Sequence, residues 1–328
     1  MDMQIERRAF YNLLRMNWVL DPQLEVEQWQ VEDYRKVNFE DLFSRLKSFT
    51  INLDKNRFIA MAEPYDTPEE FSDSLLPEAG NDASQQDQIY LLIFELWRRL
   101  KAEKPCLSVF CDELDQQIFL YDSDDLEDLE PLQDAVANLQ NILEENVDQG
   151  HEPIEAWEYI SAGCANDIES FLYDFIAEQI DSENYSYAQE LLDAFTLYIK
   201  DPKWFDFLKA RLVAIHDRVT AAEAIRRLAQ EAFSEPDLEF NFEMLSFLID
   251  EGEKEIFINL VKQSLLLLDR EEDFQELLSI CAEYCHQMEE EGQELAIQRL
   301  LEERGSRLGD EILHVEDPAL NALIKILE

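Results

Sequence analysis

The chain has 328 residues, with 27 Lys and Arg against 74 Asp and Glu, a formal net charge of −47. Its 46% apolar content is that of a folded protein, and a chain this long buries a large core, as two domains or one elongated array. Only 7 residues are Gly, and neither G-x-G-x-x-G nor G-x-x-x-x-G-K-[ST] occurs, which removes the usual phosphate-cradling loops. The negative charge repels nucleic-acid phosphate, so DNA and RNA are not expected ligands.

In chain order, helical spacing predicts a helix over residues 4–20 (Phe10, Leu13, Leu14, Trp18) and another over 39–48 (Phe39, Leu42, Phe43, Leu46). Between 48 and 62, Phe49, Ile51 and Leu53 alternate, Asp54-Lys55-Asn56 offers turn chemistry, and Phe58 and Ile59 follow. That pattern predicts one small β-hairpin. Residues 63–87 are polar and punctuated by Pro64, Pro68, Pro77 and Gly80, which reads as a linker or long loop. From 88 onward the pattern is helical. Ile89, Ile93, Leu96, Trp97 and Leu100 form one stripe, and Leu107, Phe110, Cys111, Leu114, Ile118 and Tyr121 the next, although 118–121 alone would also suit a strand. Pro131 opens and Gly150 closes a further helix, Pro153 opens a short one with Trp157, and residues 165–180 continue. The expected plan is an N-terminal helical module over 1–62, a linker over 63–87 and an acidic helical array over 88–328.

The stretch over 183–305 is repeat-like. A shift of 34 residues aligns Leu191 with Ile225, Phe195 with Ala229, Pro202 with Pro236, Trp204 with Leu238 and Leu208 with Phe242. Paired helices at such a period stack as hairpins around one core. In its period, in the aromatic and small-residue helix over 185–200, and in Asp201-Pro202 and Glu235-Pro236 at the repeat ends, the chain resembles a tetratricopeptide-repeat array over about residues 165–305. Bulky residues stand where that family carries Gly and Tyr in its first helix. The resemblance implies an all-α helical-hairpin array, or α-solenoid, whose concave surface binds a peptide or protein segment.

Five cysteines (Cys106, Cys111, Cys164, Cys281, Cys285) form no disulfide framework by count or spacing, which points to a reducing compartment. Residues 1–8 lack the apolar core of a signal peptide, and purely apolar runs such as 265–268 are too short to insert in a membrane. A cytoplasmic protein is expected; an effector secreted without a classical signal peptide would read the same way.

Two Glu-x-x-His motifs, Glu283 with His286 and Glu311 with His314, have the i, i+3 spacing that places metal ligands on one helix face in carboxylate bundles. They define the alternative of a metal-dependent helical enzyme, against the plainer reading of solvated side chains. Cys281 and Cys285 beside His286 read as small buried hydrophobes rather than a thiolate site. No cofactor is expected.

The acidic tract is the feature with functional content. Residues 105–199 hold 24 Asp and Glu and no Lys or Arg. Ion pairs between successive turns are therefore absent within it, and its repulsion is uncompensated locally. The expected function is a non-enzymatic protein–protein interaction module, a scaffold, adaptor or chaperone-like binder, that takes a basic or amphipathic segment on this surface. Asp124, Asp125, Glu127 and Asp128 are its acidic candidates, and Tyr173 and Tyr187 its aromatic candidates for peptide capture. An inhibitor that mimics nucleic acid by ordered carboxylates is the further alternative.

Overall fold

Among the described residues, five helices end on the same backbone device. The residue after the C-cap turns left-handed, its N–H bonds back three residues, and the following N–H bonds back five. At Gly150 (φ +102°) these bonds run from Gly150 to Val147 and from His151 to Asn146. The other four left-handed positions are not glycine but Thr50 (φ 67°), Asp124 (φ 55°), Glu183 (φ 62°) and Glu289 (φ 58°), each with the same pair of bonds. A Cβ disfavours that conformation. Replacing Glu183 or Glu289 by Gly is therefore expected to stabilise the fold by about 0.5–1 kcal/mol each, read as a rise in urea midpoint at unchanged slope.

The computed structural model describes residues 6–76, 82–126, 128–231, 236–251 and 253–328. Among them are 18 α-helices and no strand. The fold is all-α. Contacts divide the chain into two units, one running to Leu172 and including Leu197–Ile199, the other comprising Tyr173–Thr196 and Lys200–Glu328.

The first unit contains α1 (Arg7–Leu20), α2 (Gln28–Val31), α3 (Phe39–Ser48), α4 (Lys55–Ala62), α5 (Pro68–Leu75), α6 (Ala83–Leu100), α7 (Leu107–Asp122), α8 (Glu130–Asp148) and α9 (Pro153–Ser161). Its centre is α6, buried at every position from Ile89 to Trp97. A helix covered all round must be packed on several sides. Leu42 and Leu46 of α3, Phe58 of α4 and Phe71 of α5 belong to the same core. The one charge inside this stretch, Glu95, is held by Arg98 and Arg99, and Arg99 also donates to the carbonyls of Tyr34, Arg35 and Val37.

Two sequence expectations are corrected here. The hairpin over 48–62 is absent: Asp54 caps α4 by accepting the Arg57 N–H at 2.9 Å, so its turn chemistry starts a helix. The expected loop over 63–87 carries α5, with Thr67 as its cap, Pro68 in its first turn and Phe71 fully buried, and then the start of α6. Pro77 and Gly80 lie outside the described residues. The segment 118–121 is helical, within α7.

The acidic tract also acquires an interior. Asp112 and Asp115 of α7 are buried, and their partners come from far away in sequence. Asp112 accepts from Arg8 Nε and Arg35 Nη2, each at 2.6 Å, and from Asn12 at 3.1 Å. Charges withheld from the tract are supplied by α1 and by the turn before α3.

The second unit takes up α10 (Ile168–Asp181) beyond Leu172, then α11 (Tyr185–Phe195), α12 (Lys203–Ala214), α13 (Arg218–Glu231), α14 (Leu238–Glu251), α15 (Lys254–Ser264), α16 (Glu271–Gln287), α17 (Glu291–Arg304) and α18 (Pro318–Leu327). One core runs through it, from Phe207 and Ile225 through Phe240, Leu245 and Phe257 to Leu277, Tyr284 and Leu323. Phe257 and Tyr284 stack at 3.8 Å between centroids. Cys281 and Cys285 are buried in this core.

Candidate functional site

Within the second unit, aromatic rings from three helices meet edge to face. The Tyr173 ring of α10 lies 5.0 Å from Trp204 of α12, and Trp204 lies 4.8 Å from Phe240 of α14, at interplanar angles of 77° and 69°. Phe207 continues the chain to Phe240 at 5.9 Å and to Phe247 at 5.8 Å. Phe207 and Phe240 are buried, whereas Tyr173, Trp204 and Phe247 are half-buried and bring the cluster to the surface. T-shaped contacts of this kind hold rings in place beyond what burial alone supplies.

Carboxylates border the exposed end. The Tyr173 hydroxyl donates to Glu243 Oε2 at 3.4 Å. Burial, then the Glu243 charge, raises the Tyr173 hydroxyl well above an ordinary tyrosine, so it remains a donor at neutral pH. On α16, burial followed by repulsion from Asp273 and Glu243 raises the Glu276 carboxyl. Asp273 is raised by burial and by Asp269 and Glu272, against the opposing pull of Arg270. The nearby cations are engaged elsewhere. Lys203 Nζ is 2.9 Å from Asp237, and Arg211 is 2.5 Å from Asp181. Half-exposed rings beside carboxylates that repel one another can receive an amphipathic segment carrying positive charge.

No family model, curated protein or solved structure matches the chain.

The sequence-derived candidates fall in different places. Tyr173 belongs to the cluster just described. Tyr187 is also half-buried, with its ring 6.2 Å from Phe175 in a T-shaped contact. Asp124, Asp125 and Asp128 are exposed between α7 and α8, while Glu127 lies outside the described residues. Two of these acids have backbone duties. Asp124 is the left-handed residue that ends α7, and Asp128 accepts the Glu130 N–H at 3.0 Å where α8 begins.

The paired Glu-x-x-His geometry is not present. Glu283 and His286 are exposed on α16, with His286 Nδ1 3.2 Å from Glu294 of α17. Glu311 and His314 lie in non-helical chain between α17 and α18, where the i, i+3 spacing no longer selects one face. Among the described residues, no group of three or more His, Cys, Asp or Glu is placed to hold a metal ion. No described helix is long and apolar enough to cross a membrane.

Sequence reasoning used Trp204 only as a position aligned with Leu238 and did not single out Glu243, Asp273 or Glu276. A usable signal existed in the period, because Glu243 and Glu276 stand one helix pair apart at equivalent positions of α14 and α16.

Proposed function

We propose that the chain is a non-enzymatic interaction module, working as a scaffold, adaptor or chaperone-like binder in a reducing, cytoplasmic setting, that takes a basic, amphipathic protein segment. The observation that carries this reading is the Tyr173–Trp204 edge beside Glu243, Asp273 and Glu276, with Lys203 and Arg211 already paired. The rings bury the apolar face of the segment, and the carboxylates receive its Lys or Arg side chains. The exposed acids Asp124, Asp125 and Asp128, with the rest of the tract, add long-range attraction that speeds encounter.

A helical-repeat organisation accords with this role. First helices of successive pairs begin at Tyr185, Arg218 and Lys254, and second helices at Lys203, Leu238 and Glu271, close to the 34-residue shift read in the sequence. Stacked pairs offer an extended surface of the kind an unfolded or helical segment needs.

Trp204 is the single tryptophan of the second unit, so its share of the emission, taken as the difference between wild type and Trp204→Phe, reports this surface. A synthetic amphipathic Leu/Lys peptide is expected to shift Trp204 emission, and its Leu/Glu counterpart to leave it unchanged. Changing Glu243→Gln, Asp273→Asn and Glu276→Gln together is expected to weaken the Leu/Lys peptide about tenfold, each lost contact being worth a few tenths of a kcal/mol. Raising salt from 50 to about 200 mM slows association, since exposed charges are screened over about 10 Å. Equal binding of the two peptides, or of wild type and the triple variant, sinks the proposal.

A further inference from the structure

The segment after α9 is fastened to α7 at two points. Gly163 comes so close to the helix that a Cβ there would stand 2.9 Å from Cys111 Sγ and would have to displace that thiol. Two residues on, the Ala165 N–H donates to the Asp115 carboxylate at 2.9 Å, joined by the Asn166 N–H at 3.0 Å and its side-chain Nδ2 at 2.9 Å. Cys111 and Asp115 are one turn apart on α7 and share a face. Cys164 is the residue between the two anchors, so it is held over that turn, and the Cys111 thiol donates to the Ile160 carbonyl at 3.7 Å, three residues before Gly163. Cys111 is fully buried and Cys164 is 6% exposed; both are free thiols.

We propose that Cys111 and Cys164 form a built-in cross-linking site, closed to a disulfide by a small peroxide and reopened by thiol reductants. Cys164, which keeps some exposure, reacts first: its sulfur displaces one peroxide oxygen as water and becomes a sulfenic acid. The Cys111 sulfur then attacks that sulfur, the S–O bond breaks, and the oxygen leaves as a second water with the remaining thiol proton. Two thiols and one hydrogen peroxide thus give one disulfide and two waters. The anchors at Gly163 and Ala165 hold the sulfurs in place, so ring closure has the advantage of an intramolecular step. The neighbouring Cys111 and burial raise the Cys164 thiol, so the pair resists mild oxidation. The remaining thiols are placed differently. Cys106 is hydrogen-bonded to Ser108, and Cys281 with Cys285 lies in the core of the other unit.

The test uses the full chain treated with millimolar hydrogen peroxide, then alkylated with N-ethylmaleimide after denaturation. The expected product is about 2 Da lighter before alkylation. It carries three adducts, where the reduced chain, with its five cysteines, carries five. Residues 105–199 contain no Lys or Arg, so a glutamate-specific protease replaces trypsin, followed by chymotrypsin to cut between Phe110 and Cys111. The linked peptides should hold Cys111 and Cys164. Melting of the oxidised chain should rise by about 5 °C or more, because the bond closes a long loop, and dithiothreitol should reverse the shift. Cys164→Ser should abolish the cross-link and the melting shift together. Should that variant fail to fold, the wild-type linkage map decides alone. A link between other cysteines, or no link while Cys106 oxidises further and the other four cysteines all take adducts, overturns the proposal.

Discussion

Replacing Arg304 by methionine is expected to cost the fold about 3–5 kcal/mol, the usual penalty for stranding one partner of a buried ion pair. Arg304 is 4% exposed at its side chain and Glu271 is 1% exposed. The guanidinium donates from Nε and Nη2 to the two Glu271 oxygens at 2.6 and 2.5 Å, and from Nη1 to Asp317 Oδ2 at 3.0 Å, while lying over the Phe274 ring. Burial alone would raise the Glu271 carboxyl; hydrogen bonds from Arg304 and Gln275 hold it below the ordinary range instead. Methionine keeps much of the arginine stem's packing but leaves Glu271 with the neutral Gln275 amide at 3.1 Å and with Arg307, 3.5 Å away and exposed. The double change Arg304→Met with Glu271→Leu should recover most of the loss, since apolar pairs commonly replace buried ion pairs without penalty. Urea titrations of wild type, single and double variants measure both. A single variant that loses less than about 1 kcal/mol would mean that this pair behaves as a surface bridge.

Asp112→Ala is expected to cost about 3 kcal/mol, because it strands Arg8 and part of Arg35 against a covered helix face. Arg35 keeps its 2.8 Å contact with Glu113, which places the loss at the low end. The same turn of α7 also predicts an unusual pH profile. At Asp112, Arg8 and Arg35 overcome burial and lower the carboxyl. At Asp115, burial prevails over the bonds from Ala165, Asn12 and Asn166 and raises it.

A raised carboxyl favours the fold increasingly as pH falls through its folded value. A lowered one contributes above its unfolded value and is lost as pH falls toward its folded value. Asp115, Asp174, Asp273 and Glu276 are raised, and Asp112, Glu271 and Asp317 are lowered. Self-repulsion from a net charge of −47 adds to the first group. Thermal melts should therefore rise between about pH 7 and 5 and fall below about pH 4, near the ordinary carboxylate values. A melting temperature that falls steadily from pH 7 to 5 would contradict the assignment. In Asp112→Ala the fall below pH 4 should be shallower than in wild type.

Local chemistry was the part of the fold legible in the sequence. The apolar spacing of Phe39, Leu42, Phe43 and Leu46 gives α3, and Pro131 with Gly150 brackets α8. Where one residue type serves two local purposes, the reading went astray. Asp54 accepts a backbone N–H in a hairpin turn and at a helix start alike, and Pro68 ends one helix pattern as readily as it opens α5. Left-handed turns at Thr50, Glu183 and Glu289 carry no sequence mark, because glycine is the residue that usually announces them. The candidate site was less legible still. Tyr173 stood out as an aromatic at partly exposed spacing, but its neighbours Trp204, Glu243 and Glu276 come from separate helices that only tertiary packing assembles. The Glu-x-x-His spacing at Glu311 lost its meaning because Gly305 and Gly309 precede it and Pro318 opens a new helix only after it.

The pairing of Arg8 with Asp112 spans 104 residues, and this separation orders events during synthesis. At about 5–20 residues per second, α1 waits on the order of 5–20 s before its carboxylate partner exists. Helices α3, α4 and α5 likewise wait for α6, the apolar post around which they close. The N-terminal helices thus emerge as amphipathic segments exposed to chaperones, and the first unit seals only when α6 and α7 have left the ribosome. The earliest helices can complete their packing and their ion pairs only after later ones exist.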